Sequence, residues 1–193
     1  MKICAAGDSI VNGFGVGREN SFINIKDNNI EILNIGENGY TSLLTLEKIK
    51  KLKNISGFNL LFIYVGINDF LSGYSLESVT KNIERIIEFA KRNNLILLIS
   101  IPLDITEGSQ DGWCSSLNYI STKNKLIDYR KYIMEKSFQE NFYYIDFYNK
   151  FKKLNNYSDL FFDGIHPNRY MHNLMRDYFS EILFNIGYEN GLL

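Results

Sequence analysis

Residues 60–65 read Leu-Leu-Phe-Ile-Tyr-Val, six apolar or aromatic side chains in succession. A second run of the same kind, Leu-Ile-Leu-Leu-Ile, occupies residues 95–99. Successive side chains of a strand point to opposite faces, so an uninterrupted apolar run predicts a strand that is buried on both faces. Central strands of a parallel sheet have this environment, and the two runs therefore indicate a sheet that is covered by helices on each side.

Amphipathic segments of helical length alternate with the apolar runs, which is the order typical of an α/β protein. The predicted strands are Lys2–Ala6, Ile30–Ile35, Asn59–Val65, Leu95–Ile101 and Phe142–Phe147. The predicted helices are Ser42–Lys53, Ser75–Asn93, Asn118–Glu140 and Asn168–Phe184. Five strands joined by helical crossovers predict a three-layer, flavodoxin-like fold whose five-stranded parallel sheet has the order 2-1-3-4-5.

Length and composition limit the classes of protein to be considered. The chain has 193 residues, and we expect residues 1–193 to form a single domain. A formal net charge of −1 argues against a nucleic-acid partner, because contacts with phosphates need a basic excess. No apolar run reaches the roughly 18 residues of a membrane-spanning helix, so no membrane insertion is expected. The first residues lack a signal-peptide core and the two cysteines predict no disulfide framework, so we expect a cytoplasmic protein. The sequence does not predict its oligomeric state.

Polar residues collect where the predicted strands end, at the edge of the sheet where doubly wound folds bind their ligands. Ser9 follows the first strand, a polar stretch at residues 34–42 follows the second, and Asn68 follows the third. The segment Asp163-Gly-Ile-His166 comes after the fifth strand and a short connection. Because the carboxyl ends of parallel strands meet at one edge, these segments predict a single active site.

The residue types at this edge are those of a nucleophilic hydrolase. A serine nucleophile needs a base that removes its proton, and the base needs a carboxylate that orients its ring. His166 has such a carboxylate three residues upstream, at Asp163, which leaves Nε2 free to meet Ser9. Ser9, Asp163 and His166 are therefore the predicted catalytic residues. The N–H groups of Ser9 and Gly39 and the side-chain amide of Asn68 are the predicted oxyanion donors.

Four short motifs resemble the sequence blocks of the SGNH hydrolases, the GDSL-type esterases and lipases. They are Gly7–Gly15 (GDSIVNGFG), residues 39–42 (GYTS), residues 66–69 (GIND) and residues 163–166 (DGIH). The motifs occur in the family's order, and Ile10 replaces the usual leucine of the first block. The resemblance implies a flavodoxin-like fold and the triad and oxyanion donors named above. It also implies hydrolysis of esters or thioesters without a metal or other cofactor.

The substrate is expected to be a small-molecule ester with a short acyl group, acetylated carbohydrates included, because no long apolar lid is visible. Thioesterase or lysophospholipase activity on the same fold is the alternative. The segment 104–116 follows the fourth strand and holds the only tryptophan. The side chains predicted to contact the substrate are Tyr40, Phe70, Trp113 and Ile165. The glycines at positions 13, 15 and 17 are interpreted as room for this substrate.

Three further interpretations compete with the serine hydrolase. A metal-dependent phosphoesterase would take its ligands from Asp8, Asp69, Asp163 and His166. Two-metal sites usually recruit several histidines, whereas this chain has only two, and the second, His172, is expected at the surface. A thiolate nucleophile at Cys114 is the next alternative. A phosphate-binding loop at the first glycines is the last, although the chain lacks its Gly-Lys-Ser/Thr signature.

Overall fold

The computed structural model describes residues 1–193, and a sheet of five parallel strands lies at its centre. The strands are β1 (Lys2–Gly7), β2 (Glu31–Asn34), β3 (Leu60–Tyr64), β4 (Ile96–Ile101) and β5 (Tyr143–Asp146). Their spatial order is β2-β1-β3-β4-β5, which confirms the predicted flavodoxin-like topology. The chain steps to one side of β1 to form β2 and to the other side to form β3, so the carboxyl end of β1 lies at the switch point.

Seven α-helices surround the sheet. They are α1 (Ser9–Asn12), α2 (Ser42–Lys50), α3 (Ile67–Leu71), α4 (Leu76–Arg92), α5 (Ser116–Glu140), α6 (Phe147–Phe151) and α7 (Arg169–Glu189). Crossovers between parallel strands are right-handed, which places α2, α4 and α5 on one face, and α4 contacts both of the others. α7 and the segment between β1 and β2 cover the other face, where Phe179 packs against Phe22 with ring centroids 5.5 Å apart.

The central strands are buried on both faces, as their uninterrupted apolar runs predict. Every residue of β3 is buried, and it belongs to one contiguous core that joins both faces of the sheet. Aromatic rings fill the layer between β3 and α7, where Phe62 contacts Phe179 at 4.6 Å and Phe22 at 6.0 Å between centroids. Large buried rings contribute more apolar area per residue than aliphatic side chains, so this layer holds α7 firmly on the sheet.

The long helices agree with the predicted ones except at their ends. α4 begins after Ser75, whose hydroxyl accepts the N–H of Ser78, and α5 ends where Asn141 adopts a left-handed conformation. α7 continues to Glu189, beyond the predicted end at Phe184. The short helices α1, α3 and α6 are not predicted, because four or five residues give too little periodicity to detect. None of the helices is apolar enough over a sufficient length to cross a membrane.

Candidate active site

Ser9 is the first residue of α1 and stands directly beyond the carboxyl end of β1. Asp8 occupies the N-cap position, and its carboxylate accepts the N–H of Ile10 at 2.9 Å. This cap starts the helix at Ser9, and Gly13, with a φ of 86°, ends it after a single turn. Only 5% of Ser9 is exposed, so the turn holds its hydroxyl at a nearly enclosed point on the edge of the sheet.

The structure brings the three residues of the predicted triad into one hydrogen-bonded chain. Ser9 Oγ lies 2.9 Å from His166 Nε2, and His166 Nδ1 lies 2.7 Å from Asp163 Oδ2. A carboxylate accepts hydrogen bonds only, so the network assigns the ring proton to Nδ1. Nε2 then carries the lone pair and accepts the hydroxyl hydrogen of Ser9, which is the arrangement that a general base requires.

Asp163 is held by the turn that it begins. Its Oδ1 accepts the backbone N–H groups of His166 at 2.8 Å and of Ile165 at 3.1 Å, which directs Oδ2 to the imidazole. Burial alone would raise the pKa of Asp163, but the hydrogen bonds from His166 and Ile165 outweigh it and hold this pKa below its usual value. The carboxylate is therefore ionised at neutral pH, as the partner of an imidazolium must be.

Gly164 allows the loop that follows β4 to pack directly on this turn. It has a φ of +82°, and a Cβ at this position would lie 2.5 Å from the carbonyl carbon of Gly108 and closer still to Ser109 N. The carbonyl of Gly164 also accepts the N–H of Thr106 at 2.8 Å. Loop 104–116 is therefore docked against the turn that carries Asp163 and His166.

Two of the three predicted oxyanion donors, Gly39 and Asn68, lie on segments that a hydrogen bond joins. The side-chain amide of Asn68, in α3, donates to the carbonyl of Tyr40 at 3.0 Å, which leaves its second amide hydrogen free. Gly39 precedes Tyr40, and no atom lies within 4 Å of the place where its Cβ would be. The N–H groups of Ser9 and Gly39 donate to no protein acceptor, so both remain available to a bound molecule.

A polar bridge that the sequence does not predict joins the residues after β1 to those after β2. Nη2 of Arg18 donates to Asn12 Oδ1 at 2.6 Å and to the carbonyl of Gly36 at 3.2 Å. The amide of Asn12 donates in turn to Asn38 Oδ1 at 2.8 Å. Because Gly39 follows Asn38, the bridge supports the loop that presents a candidate oxyanion donor. No motif marks Arg18, since its partners depend on how two loops meet.

Two aromatic rings pack against the imidazole of His166, and neither contact is predicted. The ring of Phe14 lies 4.3 Å from it between centroids at an angle of 41°. The indole of Trp113 meets it edge-on at 5.2 Å and 66°, and its N–H donates to Asp163 Oδ2 at 3.0 Å. A lone tryptophan in a loop is the only signal in the sequence, and it does not identify the partner.

Two of the four side chains predicted to contact the substrate lie in the core instead. Phe70 is fully buried and packs edge-on against Tyr129, and Ile165 is 3% exposed. Neither has appreciable surface open to solvent, so burial gives their assignment to the substrate wall no support. Trp113 is 50% exposed and Tyr40 is half-buried, which keeps both as candidates for that wall.

Two buried carboxylates, those of Asp8 and Asp69, accept hydrogen bonds from residues next to the site. Asp69 accepts the N–H of Ser42 at 2.9 Å and its hydroxyl at 2.6 Å, which fixes the start of α2. Burial raises the pKa of Asp69, and burial together with the charge of Asp69 raises the pKa of Asp8 to about 7. No three His, Cys, Asp or Glu side chains are arranged in a group that could hold a metal ion.

Several other expectations are corrected by the structure. His172 does not lie at the surface but is fully buried, and its Nδ1 accepts the N–H of Phe22 at 3.1 Å. A Cβ on Gly15 would lie 2.8 Å from the ring of Phe162, so this glycine makes room for Phe162 rather than for a substrate. The hydrogen-bond partners of the Cys114 thiol are on Ser109, with none on His166.

Comparison with known proteins places this geometry in a family. Residues 5–174 match the model of the GDSL-like Lipase/Acylhydrolase family. A comparison with curated proteins finds no significant match. Among solved structures, a member of the lipolytic protein G-D-S-L family from Veillonella parvula DSM 2008 is 21% identical with a TM-score of 0.78, covering 94% of this chain and 97% of that one.

Two further structures have a similar fold. A GDSL-like lipase from Bacteroides thetaiotaomicron VPI-5482 is 18% identical with a TM-score of 0.79, covering 96% of this chain and 88% of that one. The psychrotrophic esterase EstA from Pseudoalteromonas sp. is 18% identical with a TM-score of 0.70, covering 95% of this chain and 97% of that one. At these identities the structural likeness establishes the fold alone. The family match extends from β1 into α7, and by it the chain belongs to the GDSL-like lipase/acylhydrolase family and is a serine hydrolase that acts on ester bonds.

Proposed function

We propose that this enzyme is a serine esterase that hydrolyses carboxylic esters of short acyl groups, acetylated small molecules and carbohydrates among them, through an acyl-enzyme at Ser9. The observation that carries the proposal is the chain from Ser9 through His166 to Asp163, with steps of 2.9 and 2.7 Å. Nucleophile, base and orienting carboxylate are within hydrogen-bond reach of one another, so attack requires no rearrangement of the protein.

Acylation of Ser9 is the first half of the proposed reaction. Ser9 Oγ forms a bond to the ester carbonyl carbon while His166 Nε2 takes the hydroxyl proton, and the π electrons move onto the carbonyl oxygen. The resulting imidazolium is stabilised by Asp163. It gives the proton to the alcohol oxygen as the carbon–oxygen bond breaks, which releases the alcohol and leaves the acyl group on Ser9.

Deacylation repeats these steps with water as the nucleophile. His166 takes a proton from the water as its oxygen attacks the acyl carbon. The tetrahedral intermediate then collapses, and the same proton returns to Ser9 Oγ as the acid is released. Both halves place negative charge on one oxygen, for which the proposed donors are the N–H groups of Ser9 and Gly39 and the amide of Asn68. Removal of one such donor typically lowers kcat by about 10²–10³-fold.

The proposed preference for short acyl groups follows from what surrounds the triad. The two rings that contact His166, those of Phe14 and Trp113, are only partly exposed, while Phe70 and Ile165 are withdrawn into the core. Each methylene that a site buries contributes about 0.8 kcal/mol to binding, and an acyl chain that projects into water gains nothing from added length. We therefore expect kcat/KM to level off after a few carbons.

Substitution of Ser9 tests the nucleophile. Ser9→Ala should lower kcat for p-nitrophenyl acetate by about 10⁴-fold or more, because the attacking oxygen is lost. A phosphonylating reagent should label the wild type once and leave Ser9→Ala unlabelled by mass spectrometry. Ser75→Ala is the matched control, since Ser75 likewise lies at the start of a helix, as the N-cap of α4. Wild-type turnover by Ser9→Ala would refute the proposed mechanism.

A panel of esters from acetyl to octanoyl, each paired with its thioester, tests the substrate class. We expect the acetyl and butyryl oxygen esters to give the highest kcat/KM. A steady rise through octanoyl, or a consistent preference for thioesters, would contradict the proposed class and leave the role of Ser9 unaffected.

A further inference from the structure

Trp113 contacts both His166 and Asp163, the two triad residues that are hydrogen-bonded in series to Ser9. Its indole N–H donates to Asp163 Oδ2 at 3.0 Å, the same oxygen that accepts Nδ1–H of His166 at 2.7 Å. Its ring meets the imidazole edge-on at 5.2 Å. The side chain is half exposed, so these contacts are not a by-product of packing in the core.

The loop fixes Trp113 in this place. The backbone N–H of Trp113 donates to the carbonyl of Ser109 at 3.0 Å, and the hydroxyl of Ser109 donates to the carbonyl of Thr106 at 2.7 Å. Thr106 donates its own N–H to the carbonyl of Gly164, within the turn of Asp163. The indole is thus held by a loop that is attached to the residue it contacts.

The donation from Trp113 completes the coordination of the carboxylate. A carboxylate offers about four acceptor positions. On Asp163, Oδ1 accepts the backbone N–H groups of Ile165 and His166, and Oδ2 accepts His166 Nδ1–H and the indole N–H. With two donors on each oxygen, the carboxylate cannot rotate without breaking several hydrogen bonds at once.

We infer that Trp113 is a positioning residue of the triad, whose N–H completes the coordination of Asp163 and whose ring, together with Phe14, holds the imidazole in line with Ser9. This inference rests on the proposed function, because it assigns Trp113 a role in a triad. It differs from a place in the substrate wall, since the indole acts through Asp163 and His166 rather than on the substrate.

The indole N–H also shares the negative charge of Oδ2. Without it, more of that charge acts on the imidazolium that forms when His166 takes a proton. Other titratable groups near this cluster are Asp8, which directly precedes Ser9, Asp111, in the loop of Trp113, and His172, on α7. All three stay unchanged in the Trp113 variants below, so a difference between those variants and the wild type reports the indole.

Kinetics of Trp113→Phe and Trp113→Leu test the inference. Trp113→Phe keeps a ring and loses the N–H. The acid limb of its pH profile of kcat/KM should therefore lie about half a pH unit above that of the wild type, while its KM stays within about twofold of the wild-type value. Trp113→Leu also loses the ring edge and should lower kcat by about tenfold in addition. Phe138→Leu is the control, because Phe138 is 92% exposed on α5.

Fluorescence gives a second readout that needs no turnover. Trp113 is the only tryptophan, so intrinsic emission excited at the indole band reports this site alone. In the Ser9→Ala background we expect the emission to change with pH as the adjacent imidazole gains its proton, because a protonated ring quenches indole more strongly. The change should vanish in Ser9→Ala/His166→Gln.

Each outcome decides the inference. A pH profile of Trp113→Phe that superimposes on the wild type would overturn it, as would an increase in KM alone, which would place Trp113 in the substrate wall. Emission that titrates equally with and without His166 would overturn it too. Failure of the proposed function would appear separately, as activity that survives Ser9→Ala, while the fluorescence titration would still report the coupling.

Discussion

At the scale of single residues, Gly164 sets how closely the loop after β4 approaches the turn of Asp163. Gly164→Ala should lower the free energy of unfolding by about 2 to 4 kcal/mol, because the new methyl overlaps Ser109 and the φ of +82° disfavours a side chain. The displaced loop carries Trp113, so kcat should fall as well. Urea unfolding and ester hydrolysis measure the two effects.

Gly57→Ala provides the matched control for this substitution. No atom lies within 4 Å of a Cβ at Gly57, and its φ is not in the left-handed region. The free energy of unfolding should therefore change by less than about 0.5 kcal/mol. Equal stability of the two variants would show that loop 104–116 does not pack on Gly164 in solution.

The candidate site is predictable because residues of the required types follow the strand ends in order. The direction in which a side chain points is not predictable from residue type. Ser9, Asp163 and His166 are predicted because each sits after a strand end with the chemistry that its neighbours need. Phe70 lies two residues beyond Asn68 in α3 but is buried. Two residues turn a helix by about 200°, which directs its ring into the core. Trp113 meets Asp163 only because two distant loops dock.

At the scale of elements, the loops after β1 and β2 behave as one unit through Arg18. Arg18→Met should lower kcat by about tenfold and change KM less, because the carbonyl of Gly36 loses its donor and the loop that presents Gly39 shifts. Steady-state kinetics with p-nitrophenyl acetate measure both parameters.

Arg92→Met is the control for the loss of a guanidinium. Arg92 pairs with Glu88 at 3.2 Å on the exposed face of α4, where such pairs contribute little. Its kinetics should match the wild type. An Arg18→Met enzyme with normal kcat and a raised KM would show that Arg18 contacts substrate rather than supporting the loop.

The elements themselves are predicted to different degrees for physical reasons. Long amphipathic helices such as α4 and continuous strands such as β3 are determined by burial, which the sequence pattern records directly. The end of α7 is missed although Ile186 and Gly187 continue its buried face, because glycine is a poor helix former. α1 escapes prediction because a hydrogen bond from Ile10 to Asp8, rather than periodicity, starts it.

At the scale of the whole molecule, two buried groups make stability depend on pH in opposite directions. Burial, with the charge of Arg176, lowers the pKa of His172 to about 4. Burial, with the charge of Asp69, raises the pKa of Asp8 to about 7. His172 joins α7 to the segment between β1 and β2, and Asp8 caps the start of α1.

The signs of the two effects follow from proton linkage. As pH falls from about 6.5 to 4, residue 172 binds a proton in the unfolded chain but not in the folded chain, so the free energy of unfolding falls. As pH rises from about 4 to 7, the unfolded chain releases a proton from residue 8 that the folded chain keeps, and stability is again lost. Each effect is on the order of 3 to 4 kcal/mol in full, so their slopes largely cancel between pH 4 and 6.5.

Substitution of either group alone should therefore reveal how the other makes the free energy of unfolding depend on pH. His172→Gln can still accept the N–H of Phe22 but does not titrate, so relative to the wild type its stability should decline as pH rises from 4 to 7. Asp8→Asn keeps an acceptor for Ile10, and its stability should decline instead as pH falls from 6.5 to 4. Urea unfolding at pH 4, 5, 6 and 7 measures both. If the free energy of unfolding of His172→Gln varies with pH as that of the wild type does, His172 does not resist protonation in the folded chain. Opposite pH slopes in the two single variants, with a flat profile in the double variant, would show that the two effects offset each other.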